Sequence, residues 1–396
     1  MQKKLIALAI ASLSGAAFAD ASNVTIYGVA DGSFDVINVS GGNGAADTPR
    51  FSRVSSNGSH IGLKGKENLG NGLSAIFQFE SDAKFDNGGS LSTGRDSFVG
   101  LTGNFGTVVL GTLTAPTRAL GARLDVNTGE GISSNTAVLG KLGGALSYGD
   151  SLKGSLTGSV SNPTNANGRS NDTTSVFDSR HKNAVAYVSP SFSGFQATAA
   201  YMANENKSEA VGASINTSAY DLGLTYDNGP IYIGGTYAEV RVKNDVALGA
   251  LLQPDTKLKE TRLGGMYDFG VATVRAMYAR TKLENNVFDA EQNVWGIGGT
   301  YNVTANGKIT AQYYVARDMD TNGGDLNETG AKFYTLGYEH SLSKRTMLKA
   351  GYAYLKNDNN VATNGNGGYD FGYNSAGYTG DNVKVSGFQF GVRHAF

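Results

Sequence analysis

Apolar residues recur at every second position through most of this chain. Over the last twelve residues Phe388, Phe390, Val392 and Phe396 fall on one face of a strand, while Gly387, Gln389, Gly391 and Arg393 fall on the other. Tyr220, Leu222, Leu224 and Tyr226 alternate with Asp221, Gly223 and Thr225, and Ile309, Ala311, Tyr313 and Val315 alternate with Thr310, Gln312 and Tyr314. A period of two predicts strands that meet hydrocarbon on one side and water or small groups on the other. Sixteen such strands are counted. Short turns near 68–72, 103–106, 189–194, 227–230, 268–270, 302–307 and 341–345 carry the Asn, Gly, Asp and Pro that tight turns need. Longer polar connections fall near 38–50, 85–93, 115–179, 204–215, 243–256, 285–291, 319–328 and 358–380. Seven turns alternating with eight loops put both ends of the chain on the turn side. All six prolines are expected in connections, because proline has no N–H to give a ladder.

The first residues change the setting. Lys3 and Lys4 precede an apolar run from Leu5 to Leu13, and Ala17, Phe18 and Ala19 supply a cleavage site before Asp20. This predicts a signal peptide over 1–19 and an exported chain over 20–396. The run is too short to span a bilayer, and no later stretch approaches the roughly 18 apolar residues of a transmembrane helix. Any membrane crossing must therefore be made by strands. The fold class predicted is all-β, a transmembrane antiparallel β-barrel in the outer membrane.

Composition agrees with that reading. Losing 1–19 removes two lysines and no acid, which takes the formal charge from −1 to −3. So weak a charge argues against nucleic acid as a partner. With no cysteine, an exported chain must rely on burial and a closed hydrogen-bond network, and a closed barrel leaves no sheet edge unpaired. Glycine at 55 and tyrosine at 20 residues suit strands with one lipid face and one aqueous face. A soluble sandwich would place the bulky apolar face inside instead. Aromatics at strand ends, among them Tyr27, Phe77, Phe79, Tyr187, Tyr201, Tyr226, Phe269, Tyr301, Tyr338 and Tyr354, are expected in girdles at the two membrane interfaces.

One connection is exceptional. Segment 115–179 is far longer than connections in compact domains usually are, which points to function or disorder. Its Gly143–Val160 part could add a hairpin and raise the count to eighteen, and the loop could also fold into the barrel.

Catalytic chemistry has little support. The histidines are His60, His181, His340 and His394, with no His/Cys metal spacing and no G-x-S-x-G nucleophile motif. No cofactor is implied. Asp318, Asp320, Asn322 and Gly323 imitate the start of a calcium loop, but its twelfth position is Thr329 rather than a carboxylate.

Five segments in order resemble the general diffusion porins of Gram-negative outer membranes, especially the betaproteobacterial type. They are Val24 to Val29, GLKGKENLGNGLSAIFQFE at 62–80, SFVGLTGNFGTVVLG at 97–111, NAVAYVSPSFSGF at 183–195 and GVRHAF at 391–396. The resemblance covers nearly the whole exported chain. It implies a homotrimer of sixteen-stranded barrels, each a water-filled pore for passive diffusion of small hydrophilic solutes and ions. It also implies a third loop folded into the lumen, whose acids oppose basic residues on the wall. Fixed opposite charges across a narrow, low-dielectric lumen focus a field that sorts solutes.

On that pattern the constriction residues expected are Arg118, Arg123, Asp125 and Glu130 on the loop, with Lys64 and Arg95 on the wall. Arg53, Arg180 and Arg393 are weaker wall choices. His60 stands where the family often has Arg, and Thr112 follows Gly111 where it often has Gly-Arg, so fixed positive charge is reduced. Protonation of His60 near its ordinary pKa of about 6.5 would restore part of it, and a reversal potential indifferent to His60 between pH 5 and 8 would sink that idea. The resemblance makes Phe396 the carboxy-terminal signal for barrel assembly machinery. Outer-membrane lipid and lipopolysaccharide are the surrounding partners. The rivals are a solute-specific channel, with Tyr314 and Tyr237 as candidate lumen aromatics, and, further off, a surface adhesin or a barrel hydrolase.

Overall fold

A computed structural model describes residues 23–41, 48–86, 94–127, 131–144, 146, 175–203, 215–244, 253–360, 369–371 and 382–396. The signal segment 1–19, Glu130 and nearly all of the extra hairpin considered over Gly143–Val160 lie outside them.

Among the described residues sixteen antiparallel strands form one closed sheet. They are β1 (Asn23–Ser40), β2 in two pieces (Thr48–Ser56 and His60–Gly70), β3 (Leu73–Asp82), β4 (Ser97–Gly103), β5 (Gly106–Thr114), β6 (Arg180–Val188), β7 (Phe195–Met202) and β8 (Ile215–Asn228). The circuit continues with β9 (Ile231–Asn244), β10 (Thr256–Asp268), β11 (Ala272–Glu284), β12 (Asp289–Asn302), β13 (Gly307–Ala316), β14 (Ala331–Ser341), β15 (Thr346–Asn357) and β16 (Lys384–Ala395). Both pieces of β2 pair with β1, Gly32 opposite Ser56 and Val29 opposite His60, so they are one strand broken at 57–59. Each strand pairs with its sequence neighbour, and β16 closes on β1 from Val29 opposite Ala395 to Ser40 opposite Lys384. A small hairpin, Met319–Thr321 with Gly324–Leu326, extends the rim at the near-calcium motif.

Most of the predicted faces are the observed ones. Leu222, Leu224, Ile297, Trp295, Leu336, Phe388, Phe390 and Val392 are exposed on the outside, and their alternating neighbours turn inward. Four expectations are corrected. Tyr27 faces the lumen and donates its hydroxyl to Glu80 at 2.8 Å, because odd positions of β1 point inward. Tyr237 faces outward in the same parity as Ile231 and Ile233. Pro49 lies within the first piece of β2, where the register with β1 slips between Ile37 and Val39; a slipped ladder tolerates a missing N–H.

The fourth concerns the lumen, which is not polar throughout. Ile37, Val39, Met277, Val294, Phe333, Leu355 and Val385 point inward and pack with Leu120, Leu124, Ile132, Val138 and Leu139 of the third loop. A loop folded into a barrel needs an apolar seat on the wall, since a dry polar wall would be left unpaired. The inward positions under that loop are apolar for this reason.

Candidate functional site

The third loop begins with helix α1 (Pro116–Leu124), whose Pro116 occupies the first turn, where its missing N–H costs nothing. The helix turns Pro116, Thr117, Leu120, Gly121 and Leu124 to the wall and leaves Arg118, Ala122 and Arg123 more open. It runs across β8 to β11, seated on glycines of β8, β9 and β10. A Cβ at Gly223 would lie 2.8 Å from Pro116, at Gly234 2.6 Å from Leu120, at Gly264 2.3 Å from Leu124, and at Gly298 on β12 2.7 Å from Val126. Further on, Ile132 comes within 3.0 Å of where a Cβ of Gly387 on β16 would be. Inward glycines on β8, β9, β10, β12 and β16 thus form a track along which the loop lies within contact distance of the wall.

Both ends of the loop are tied to one buried polar knot. Thr117 donates its N–H and its hydroxyl to Asp221 on β8, at 3.1–3.2 and 2.8 Å. Its carbonyl accepts from Arg262 on β10 at 3.1 Å. Arg262 also donates to both oxygens of Asp178, at the far end of the loop, at 2.7 Å each, and to Glu260. Arg262 and Glu260 are fully buried and Asp178 nearly so. A dry cation held by two carboxylates and a carbonyl keeps its fork in one geometry.

Among the predicted loop residues, Asp125 is buried, and its carboxylate accepts from Asn127 N at 3.0 Å and Asn135 N at 2.8 Å. Burial pushes this carboxyl above the ordinary range, against the pull of those N–H donors. Its carbonyl accepts from Arg275 on β11, an inward cation that the sequence reading missed. Arg123 lies 3.6 Å from Asp227 and 4.9 Å above the Tyr232 ring. Arg118 is half-exposed on α1.

The wall residues come together. Lys64 sits 4.9 Å over the ring of Tyr27, whose hydroxyl meets Glu80; Arg95 pairs with that same Glu80 at 3.3 Å and with Asp82 at 3.2 Å. His60 approaches Tyr27 edge-on with centroids 6.3 Å apart, and its Nδ1 is 2.9 Å from Gly58 O. On either side, Arg53 pairs with Asp35 at 3.0 Å and Arg180 with Asp96 at 3.2 Å, while Arg393 and Lys349 share Asp31. These groups line β15 and β16 and then β1 to β6 with the connection before β4, and α1, which packs mainly on β8 to β11, lies away from the arc of β1 to β6. The acids of this arc were not singled out from sequence, although Asp31 and Asp35 on inward odd positions of β1 were a readable signal.

The family model for Gram-negative porins matches residues 5–360. The chain is 31% identical to outer membrane porin protein 32 of Delftia acidovorans, covering all of both chains. It is 31% identical to an outer membrane porin protein of Bordetella pertussis, over 90% of this chain and 95% of that one. Among solved structures, an anion-selective porin from Comamonas acidovorans superposes with a TM-score of 0.72 at 29% identity, over 95% of this chain and 100% of the other.

Proposed function

The chain belongs to the Gram-negative porin family of outer-membrane diffusion channels, and on that premise we propose that solutes are sorted between the third loop and the charged arc of β1 to β6. The observation that carries this reading is the position of the loop. Its apolar side lies on the glycine track of β8 to β12, which leaves Arg53, Lys64, Arg95, Arg180 and Arg393 facing the passage among Asp31, Asp35, Glu80, Asp82 and Asp96. Alternating fixed charges in a narrow lumen orient dipolar solutes and penalise apolar ones. Five cations and five acids balance; Lys349 adds one positive charge and His60 adds another when protonated, so the channel is weakly anion-preferring. The related porin of Comamonas acidovorans, named as anion-selective, supports that sign.

In this reading Lys64, Arg95 and His60 form the wall side of the constriction and Arg118 and Arg123 its loop side. Asp125 acts indirectly by holding the loop's turn. The exported chain starts at Asp20, assembles as a homotrimer and passes ions and small hydrophilic solutes without catalysis or a cofactor. Phe396 serves the assembly machinery.

Planar-bilayer recording tests the proposal. Large conductance steps in groups of three, with a zero-current potential displaced slightly toward anions in a salt gradient, are the expected result. Small steps, or steps blocked by one solute class at low concentration, would overturn it in favour of a solute-specific channel.

A further inference from the structure

The outward face of β14 to β16 carries a row of like charge that the pore does not use. Lys332 is the register partner of Lys356, and Lys356 is the partner of Lys384. Three ammonium groups therefore stand side by side on adjacent strands, roughly 5 Å apart at the backbone. Like charges placed directly opposite each other on a sheet are unfavourable unless something neutralises them. None of the three has an ion-pair or hydrogen-bond partner among the described residues. The next acid along that face, Asp358, lies beyond the row, its own N–H donating to Gly330 O at 3.0 Å. The outward lysines on the other side of the barrel differ: Lys259 pairs with Glu284, and Lys282 pairs with Glu291 at 2.8 Å.

Below the lysines the same face changes by rows. First come Tyr334, Tyr354 and Ser386, in register, with the two tyrosine rings stacked at 5.0 Å. Then come Leu336, Tyr352 and Phe388, with the last two rings 4.8 Å apart. Exposed Leu348, Phe390 and Val392 continue toward the opposite rim. From Lys332 to His340 a strand rises about 27 Å, or about 20 Å along the membrane normal at the usual tilt. The row lies at the rim of the long connections, which in outer-membrane barrels is the extracellular rim, so the lysines stand at the outer-leaflet headgroup level, above a hydroxyl-bearing row and an apolar band.

We propose that this face binds a phosphate-bearing lipid of the outer leaflet, its phosphate on Lys332, Lys356 and Lys384, its polar headgroup on Tyr334, Tyr354 and Ser386, and its acyl chains on the apolar rows below. The order of cation, hydroxyl and hydrocarbon down the face matches the order of groups along such a lipid. The site depends on the outer-membrane location and not on any assignment inside the pore.

The test uses the full-length protein in mild detergent and a bis-phosphorylated, acylated glucosamine disaccharide as the probe. Native mass spectrometry should show it retained by the wild type, with at least a fivefold loss of affinity in the K332Q/K356Q/K384Q variant and recovery in K332R/K356R/K384R. The dephosphorylated probe should bind as weakly as the triple Gln variant does, and bilayer conductance of that variant should equal wild type, which also shows that it folds. Equal retention by wild type and the Gln variant would overturn the proposal. So would competition by inorganic phosphate at the probe's own concentration, which would mark a free-anion site. A change of oligomeric state in the Gln variant with unchanged lipid binding would overturn it too, by showing that the row contacts a second copy.

Discussion

Arg262 on β10 and Asp178 at the end of the third loop meet fork to fork, with two hydrogen bonds of 2.7 Å, both side chains removed from solvent. Because Arg262 also takes the carbonyl of Thr117 at the loop's start, one guanidinium closes a connection of some 65 residues upon itself and the wall.

Removing that guanidinium leaves Asp178 and Glu260 buried without a counter-charge. Breaking a buried pair by deleting one partner costs about 3–5 kcal/mol, enough to free the loop locally while the barrel ladder persists. Arg262→Met should therefore give noisier and larger single-channel steps, together with a lower urea midpoint. Quiet wild-type steps would show that the apolar seat holds the loop without the knot.

The glycine track makes a second, sharper claim. A methyl added at Gly264 would meet Leu124 Cδ1 at 2.3 Å and the backbone oxygen of Ala276 at 2.7 Å. Overpacking of this kind costs about 1–3 kcal/mol. Gly264→Ala should shift the conductance by moving α1, whereas outward Gly235→Ala, which meets only the end of Leu263 at 3.0 Å, should leave it unchanged. Bilayer recordings of the two variants side by side decide the matter.

Charge on the uncovered arc should set the sign of selectivity. Arg95→Gln leaves Glu80 and Asp82 uncompensated and should move the zero-current potential in a salt gradient toward cations. Glu80→Gln should move it toward anions, and the double variant should return near wild type. Lower pH adds a proton at His60 and so pushes the wild type toward anions, an effect that His60→Asn should remove.

The carboxy terminus closes the barrel at one place. Phe396 N–H donates to Gly28 O at 3.0 Å and Gly28 N–H to Phe396 O at 3.1 Å, and a Cβ at Gly28 would lie 2.5 Å from the Phe396 ring. Deleting Phe396, or Gly28→Val, should reduce the amount of heat-stable assembled protein. Channels that do assemble should conduct like wild type, and altered unit conductance in them would tie Phe396 to the pore.

Much of this architecture was legible in the residues because a strand's alternation is local. Phe388, Phe390 and Val392 announced their outward face, and Lys64 its lumen face, from neighbours two positions away. The glycine-bearing turns at 68–72 and 227–230 likewise need only their own residues to be read. Lys64 could be placed on the wall for the same reason and Arg95 by its place just before a strand, whereas the roles of Arg123 and Asp125 could not. Arg123 answers to Asp227 and Tyr232, a hundred positions on, and Asp125 to N–H groups of a turn that exists only once the loop is folded.

What the sequence determined by itself was the barrel: its antiparallel strands, the facing of most of them and the alternation of short turns with long loops follow from period two and punctuation, each of which acts over a few residues, while the choice of sixteen strands over eighteen waited for the closed sheet. Only the tertiary structure decided which part of the wall stays open. Gly223, Gly234, Gly264 and Gly298 become a track only when the strands from β8 to β12 stand side by side, and Thr117, Asp178 and Arg262 become a clasp only when the barrel brings them together. Cross-strand register is set by closure of the whole sheet, so side chains far apart in the chain meet with no local pattern to announce them.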